Sequence, residues 1–171
     1  MKQRGFEVIS SYKESLINLP VRKTSKSCGY DFESAEDLII PSIWKMVFEN
    51  FKTYLNNTSN SPKNAIKPTL VPTGVKSYFL EDEVLILANR SSGPIKKGLV
   101  LANSIGVIES DYYNNVSNEG HIMFAFYNFF PCDIKISKGD AIGQGFFQKF
   151  LVADNDNSNG VRTGGFGSTD K

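Results

Sequence analysis

The sequence predicts a mostly β protein, and three observations predict it. Apolar runs of strand length recur along the 171 residues, clusters of turn-forming residues separate them, and only one stretch carries a helical period. Phe6-Glu7-Val8-Ile9 reads as the first strand. Val84-Leu85-Ile86-Leu87 and Gly98-Leu99-Val100-Leu101-Ala102 are continuous apolar runs, short enough for buried strands. Residues 121–127 are rich in aromatic and β-preferring side chains. Residues 132–137 alternate apolar with polar, as a half-exposed strand does. Residues 146–152 form a further apolar run. Between them lie Ser92-Gly93-Pro94, Asn114-Asn115, Asn118-Glu119-Gly120, Phe130-Pro131 and Lys138-Gly139-Asp140, each a turn signal. The exception spans residues 42–55, where apolar positions 44, 47, 48, 51, 54 and 55 step by three and four, with Pro41-Ser42 as the helix entry. Residues 56–62 are polar and read as an exposed loop. The organisation that follows is a β domain over residues 1–153 with an inserted helical segment at about 42–66, and a glycine-bearing arm over 154–171, mobile until a ligand binds.

Composition narrows the function. Lys and Arg total 19 against 18 Asp and Glu, so the net charge of +1 gives no general pull toward nucleic acid or anionic membrane. No basic patch interleaved with aromatics stands out for a nucleic acid, and no run of about 18 apolar residues is present to span a bilayer. The first residues lack the apolar core of a secretory signal. Two distant cysteines, Cys28 and Cys132, fit a reduced, cytoplasmic setting. A single histidine, His121, excludes any site built on several imidazoles and is expected to be structural.

Three polar, glycine-bearing segments carry the chemistry. Arg90-Ser91-Ser92-Gly93 follows a buried strand; a guanidinium fork, two hydroxyls and a glycine that opens the backbone N–H groups suit an oxyanion, although the same residues also make an ordinary turn. Residues 162–169 hold an Arg, a Ser, two Thr, three Gly and Phe166, an aromatic on a flexible hinge that can close over a flat ring. The Walker spacing is absent. In residues 106–112, Glu109 and Asp111 stand two apart, and on an extended backbone they would share a face where a carboxylate could activate water.

Together these segments resemble the trimeric dUTPase family, the deoxyuridine triphosphate diphosphatases. Five motifs stand in the family's order: Cys28-Gly29-Tyr30-Asp31-Phe32; Arg90-Ser91-Ser92 with Lys97-Gly98; Asn103 followed by residues 106–112; residues 138–144; and the glycine-rich 162–169. The resemblance implies a jelly-roll or β-clip barrel assembled as a homotrimer, with active sites at subunit junctions and the last motif arriving from a neighbouring chain. It implies hydrolysis of dUTP to dUMP and pyrophosphate with Mg²⁺ carried on the triphosphate rather than in a protein cage. By position, Glu109 is the general base and Asp111 its rival. Asn103 reads the uracil edge, largely with main-chain help, Gly106 and Ile108 contact the substrate, and Tyr112 packs on the deoxyribose. Arg90, Ser91, Ser92 and Gln144 hold phosphate oxygens. Arg162, Ser168 and Thr169 clamp them, Gly167 contacts the substrate, Phe166 lies over the base, and Asp31 supports the site.

The chain departs from that pattern in places. Glu109 stands where the family has Asp, and a misplacement of about 1 Å can cost about 10²-fold in rate. Ala141 stands where the family carries Arg. The stretch from Asp31 to Arg90 is long, and its surplus holds Trp44, Phe48 and Phe51, too apolar to lie bare; the helix packs on its own subunit or the trimer rim, or docks another protein. Two other functions remain on the same resemblance: a regulatory binding protein with little catalysis, and a dCTP deaminase. In deaminases the corresponding strand carries a Glu where this chain has Ala125 in Phe124-Ala125-Phe126-Tyr127-Asn128, which disfavours deamination.

Overall fold

The computed structural model describes residues 2–56, 66–158 and 160. Eleven strands are found among them: β1 Gly5–Val8, β2 Tyr30–Glu33, β3 Leu38–Ile40, β4 Thr69–Pro72, β5 Val75–Tyr78, β6 Glu83–Asn89, β7 Leu99–Leu101, β8 Gly106–Glu109, β9 Met123–Asn128, β10 Ile134–Ile136 and β11 Ala141–Lys149. Two α-helices interrupt them, α1 Ile43–Asn56 and α2 Ser92–Lys97. The mostly β expectation and the single long helix both hold.

Two antiparallel sheets carry the core. One has the order β2-β11-β6-β8 and the other β4-β9-β7; the pairs β1-β5 and β3-β10 lie apart from them. The alternation of β9 turns Phe124, Phe126 and Asn128 inward, and the first two meet Phe32, Leu85, Leu87 and Ile142 of the larger sheet in one buried cluster. Phe124 lies 5.5 Å from the Phe32 ring and stacks 6.0 Å from Phe126. The sheets approach so closely there that β11 must carry glycine: a Cβ on Gly143 would stand 2.1 Å from the Phe124 ring. Buried Asn128 is satisfied by the backbone, donating to the carbonyls of Ile40 and Cys132 and accepting from the Phe130 N–H.

Helix α1 starts as expected. The Ser42 hydroxyl accepts the Trp44 N–H at 3.3 Å and donates to the Phe130 carbonyl at 2.6 Å, which caps the helix and fixes its entry beside β9. Other elements depart from the sequence reading. Residues 92–94 do not form an isolated turn; they open α2, where Pro94 needs no N–H and Gly98, at φ +58°, closes the helix in the left-handed region. The last long strand runs over Ala141–Lys149 rather than 146–152, because β2 pairs with Ala141–Gly145 and β6 with Gly143–Lys149. Strands β2 to β5 are too short to show a period, and their registers come from partners distant in sequence. No helix among the described residues is long and apolar enough to cross a membrane, and both cysteines are exposed free thiols.

Candidate functional site

Strand β11 brings three of the expected residues together. Gln144 lies directly opposite Asp31 of β2 on one side and Ala88 of β6 on the other. Its amide N–H donates to the Asn89 carbonyl at 3.1 Å, at the end of β6, where the chain turns through Arg90 into α2. The Arg90 guanidinium reaches back across the sheet end to the Asp31 carboxylate at 3.3 Å. Asp31 is largely buried, so the pair fixes the direction of the fork while Arg90 keeps part of its surface in solvent.

Beside this triad lies a cavity of about 220 Å³, bounded by Arg90, Ser92 and Lys97 on the α2 side and by Asp140 and Ala141 on the other. Lys97 pairs with Asp140 at 3.5 Å. The small Ala141 side chain leaves this wall open. Around the cavity the two cations, Arg90 and Lys97, are each matched by an acid, Asp31 and Asp140. A polyanion entering it therefore needs further positive charge from elsewhere. Sequence reasoning left Lys97 and Asp140 out of the site although both stand inside its motifs. It also missed Asn89, whose buried side-chain amide oxygen Oδ1 has no hydrogen-bond partner among the described residues. Only the β6 register against Gln144 reveals that position.

The second group of expected residues is not at this end. Asn103 lies exposed in the turn that joins β7 to β8, where the Ile105 N–H folds back onto its carbonyl. Gly106 pairs with Leu87 and Glu109 with Val84. Ile108, paired with Leu85, packs against the core, which aims the alternating Val107 and Glu109 away from it. Arg90 stands six residues beyond Val84 along β6, about 20 Å at 3.3 Å per residue. One chain thus holds the guanidinium and the Glu109 carboxylate at opposite ends of the same sheet.

The shared face expected for Glu109 and Asp111 is not formed. β8 ends at Glu109, and residues Ser110–Tyr112 make a 3₁₀ turn, so the two carboxylates do not sit on one extended strand. The turn is held by Tyr112, which is buried. Its hydroxyl donates to the His121 carbonyl at 2.9 Å and accepts the Asn118 amide at 2.8 Å, and its own carbonyl accepts the Asn115 amide at 2.9 Å. His121 is structural: its Nε2 accepts the Gly74 N–H at 3.0 Å, and burial holds its pKa below the usual imidazole value. Arg162, Phe166, Gly167, Ser168 and Thr169 lie outside the described residues.

A metal can be tested against this donor set. Among the described residues no group of three or more His, Cys, Asp or Glu could hold an ion. Mg²⁺ needs no such cage, since it keeps several waters and takes one or two carboxylates alongside phosphate oxygens. The residues present therefore fit an ion that arrives on its substrate, with Asp31 as the nearest acid at the guanidinium.

An arginine, an amide and a lysine gather at one end of a two-sheet β fold, and these are donors of the kind that suit phosphate oxygens. The comparisons narrow the class. The dUTPase family model matches residues 51–170. The chain is 46% identical over 171 residues to the deoxyuridine 5'-triphosphate nucleotidohydrolase of Lactococcus lactis subsp. lactis, covering 99% of each chain. It superposes on the crystal structure of the dUTPase from Streptococcus mutans with a TM-score of 0.71 at 40% identity, over 88% of this chain and 99% of that one. The dUTPase from phage phi11 of S. aureus shares the fold at 15% identity, with a TM-score of 0.65 over 95% of this chain and 99% of that one. The chain belongs to the dUTPase family.

Proposed function

We propose that the chain hydrolyses dUTP to dUMP and pyrophosphate, in sites completed by more than one copy of the chain. One observation carries the second half of this reading: Arg90 and Gln144 stand about 20 Å from Glu109 along a single β6–β8 ladder. In a homotrimer the phosphate-holding end of one copy faces the Gly106–Tyr112 segment of the next, and residues 162–169 close over both. The family relation supports dUTP as substrate.

The roles follow from the chemistry. Arg90 and Gln144 hold phosphate oxygens, with Ser91 and Ser92 presented at the start of α2. Asn103, Gly106 and Ile108 shape the base site, and Tyr112, held by Asn115 and Asn118, lies against the deoxyribose. The carboxylate of Glu109 takes the proton from the water that attacks the α-phosphorus in line with the departing pyrophosphate. Asp31 holds Arg90. Arg162 supplies charge that the matched pairs around the cavity lack, with Phe166 stacked on the base and Gly167, Ser168 and Thr169 against the phosphates. Mg²⁺ on the triphosphate would neutralise charge that develops on the phosphates. The setting is cytoplasmic.

The experiment is pyrophosphate release from dUTP against dCTP, dTTP and UTP, with and without Mg²⁺. The reading expects turnover of dUTP alone, dependent on the ion. Ammonia release from dCTP would replace it with deamination, and dUTP binding with no pyrophosphate release would leave a regulatory binding protein.

A further inference from the structure

The turn that leads into β9 touches Tyr112 at both ends. At one end the Tyr112 hydroxyl donates to the His121 carbonyl at 2.9 Å. At the other, Gly120 lies so close that a Cβ on it would stand 2.6 Å from the Tyr112 carbonyl oxygen, and its φ of +81° suits glycine. The Asn118 amide donates to the Tyr112 hydroxyl at 2.8 Å, while the Asn118 carbonyl accepts the His121 N–H at 3.0 Å. The backbone at residues 120–121 therefore decides where the Tyr112 ring stands.

That backbone is set in turn by the loop between β4 and β5. On the strand side, the Ile122 N–H donates to the Val75 carbonyl at 2.9 Å and the Thr73 hydroxyl donates to the Ile122 carbonyl at 2.6 Å. On the turn side the holder is the His121 imidazole, whose Nε2 accepts the Gly74 N–H at 3.0 Å. Gly74 is itself held, since its carbonyl accepts the Ile9 N–H at 3.0 Å.

We propose that His121 is a positioning residue for the sugar: its imidazole, seated on the Gly74 N–H, fixes the backbone that holds Tyr112 and so sets how well the site excludes a 2′-hydroxyl. The proposal rests on the reading above that Tyr112 lies against the deoxyribose. The same contact makes the discrimination sensitive to acid. An imidazole that accepts through Nε2 is neutral, with its proton on Nδ1. A second proton goes to Nε2 and sets a donor against the Gly74 donor, so an attraction becomes a repulsion. The groups that face the ring are Tyr12, with 5.5 Å between ring centroids, and Glu36. Tyr12 is pushed up to about 12 by burial and by its hydrogen bond to Glu36, so it stays neutral throughout. Glu36 favours the imidazolium, and burial outweighs it. Glu119, two residues earlier, is engaged by the Ser10 N–H at 2.8 Å and by Lys76 at 3.8 Å.

The test is the ratio of kcat/KM for dUTP to that for UTP between pH 7.5 and pH 5.0, in the wild type, His121→Gln, His121→Ala and Tyr112→Ala. Both substrates carry the same base and triphosphate, so their titration, and that of a general base, cancels in the ratio. His121 is the single histidine, so its ring proton resonances report its own titration in the same samples. Gln offers an acceptor oxygen in place of Nε2 and takes up no proton. The expected wild-type ratio falls about 10-fold as the ring titrates, short of the roughly 10²-fold that a 1 Å misplacement can cost. His121→Gln keeps the wild-type ratio of pH 7.5 at every pH, and His121→Ala is low throughout, with circular dichroism checking the fold at each point. A wild-type ratio that does not follow the ring, or a His121→Ala ratio equal to the wild type at pH 7.5, overturns the proposal. If Tyr112→Ala collapses the ratio while His121→Ala keeps it, the His121 role alone is lost. If Tyr112→Ala leaves the ratio unchanged, the placement of Tyr112 is lost with it.

Discussion

Gly143→Ala tests how far the core sets the site. The added methyl would stand 2.1 Å from one Phe124 ring carbon and 2.6 Å from two more. Phe124 cannot swing away, because it is fully buried, with Phe32 at 5.5 Å and Phe126 stacked at 6.0 Å. The backbone at Gly143 is ordinary, so the cost is steric alone. Overpacking of this kind costs about 3 kcal/mol, at the upper end of the usual range, which for a chain of this size lowers the melting temperature by about 6–12 °C. Because Gln144 is the next residue and lies opposite Asp31, spreading the sheets also shifts the phosphate side of the site, and KM for dUTP rises. Differential scanning calorimetry measures the first effect and pyrophosphate release the second. Adding Phe124→Leu removes the ring and recovers stability, so the pair couples by more than about 1 kcal/mol. A single variant that melts with the wild type, or two substitutions whose effects simply add, would refute the packing argument.

Arg90→Lys keeps the charge and loses the fork, so kcat/KM for dUTP falls about 10–100-fold while the melting temperature holds. Glu109→Gln lowers kcat by about 10²–10⁴, the range for a general base, whereas Asp111→Asn leaves most of it; single-turnover rates separate the two, and an intact kcat in the Glu109 variant removes its assignment. Asn118→Ala removes the amide that donates to the Tyr112 hydroxyl and narrows the preference for dUTP over UTP, read as the ratio of their kcat/KM values. His121 sets a pH dependence. Burial holds its folded pKa below 6.5, opposed by the nearby Glu36 charge. The unfolded chain therefore binds a proton that the folded one refuses, so stability is full above about pH 6.5 and falls as the pH drops below it. Melting temperatures at pH 7.5 and 5.5 measure the slope, which His121→Gln flattens.

The site was largely legible in the sequence as chemistry and not as place. Arg90 stands out by type, Gln144 and Asp31 enter through the family resemblance, and the fold brings the three together. Glu109 stands out equally, but nothing in the spacing says that β8 pairs antiparallel to β6 and carries it away from Arg90. Long elements were readable: α1 by its period, β6 and β9 by composition. The three- and four-residue strands β2 to β5 were not, since their pairing comes from β11, β10, β9 and β1 and not from local preference. The helix shows a different limit. Periodicity identifies an apolar face, yet the seat of α1 follows from its cap at Ser42 and its anchor at Phe129, which leave that face outward.

The sharing of sites between copies is tested most directly by complementation. Arg90→Ala and Glu109→Gln, each inactive alone, are refolded together in equal amounts and assayed for pyrophosphate release. If each site draws its guanidinium and its base from different copies, random mixing leaves about a quarter of the sites with both, and activity returns to about a quarter of wild type. A mixture no more active than its two components would contradict the account.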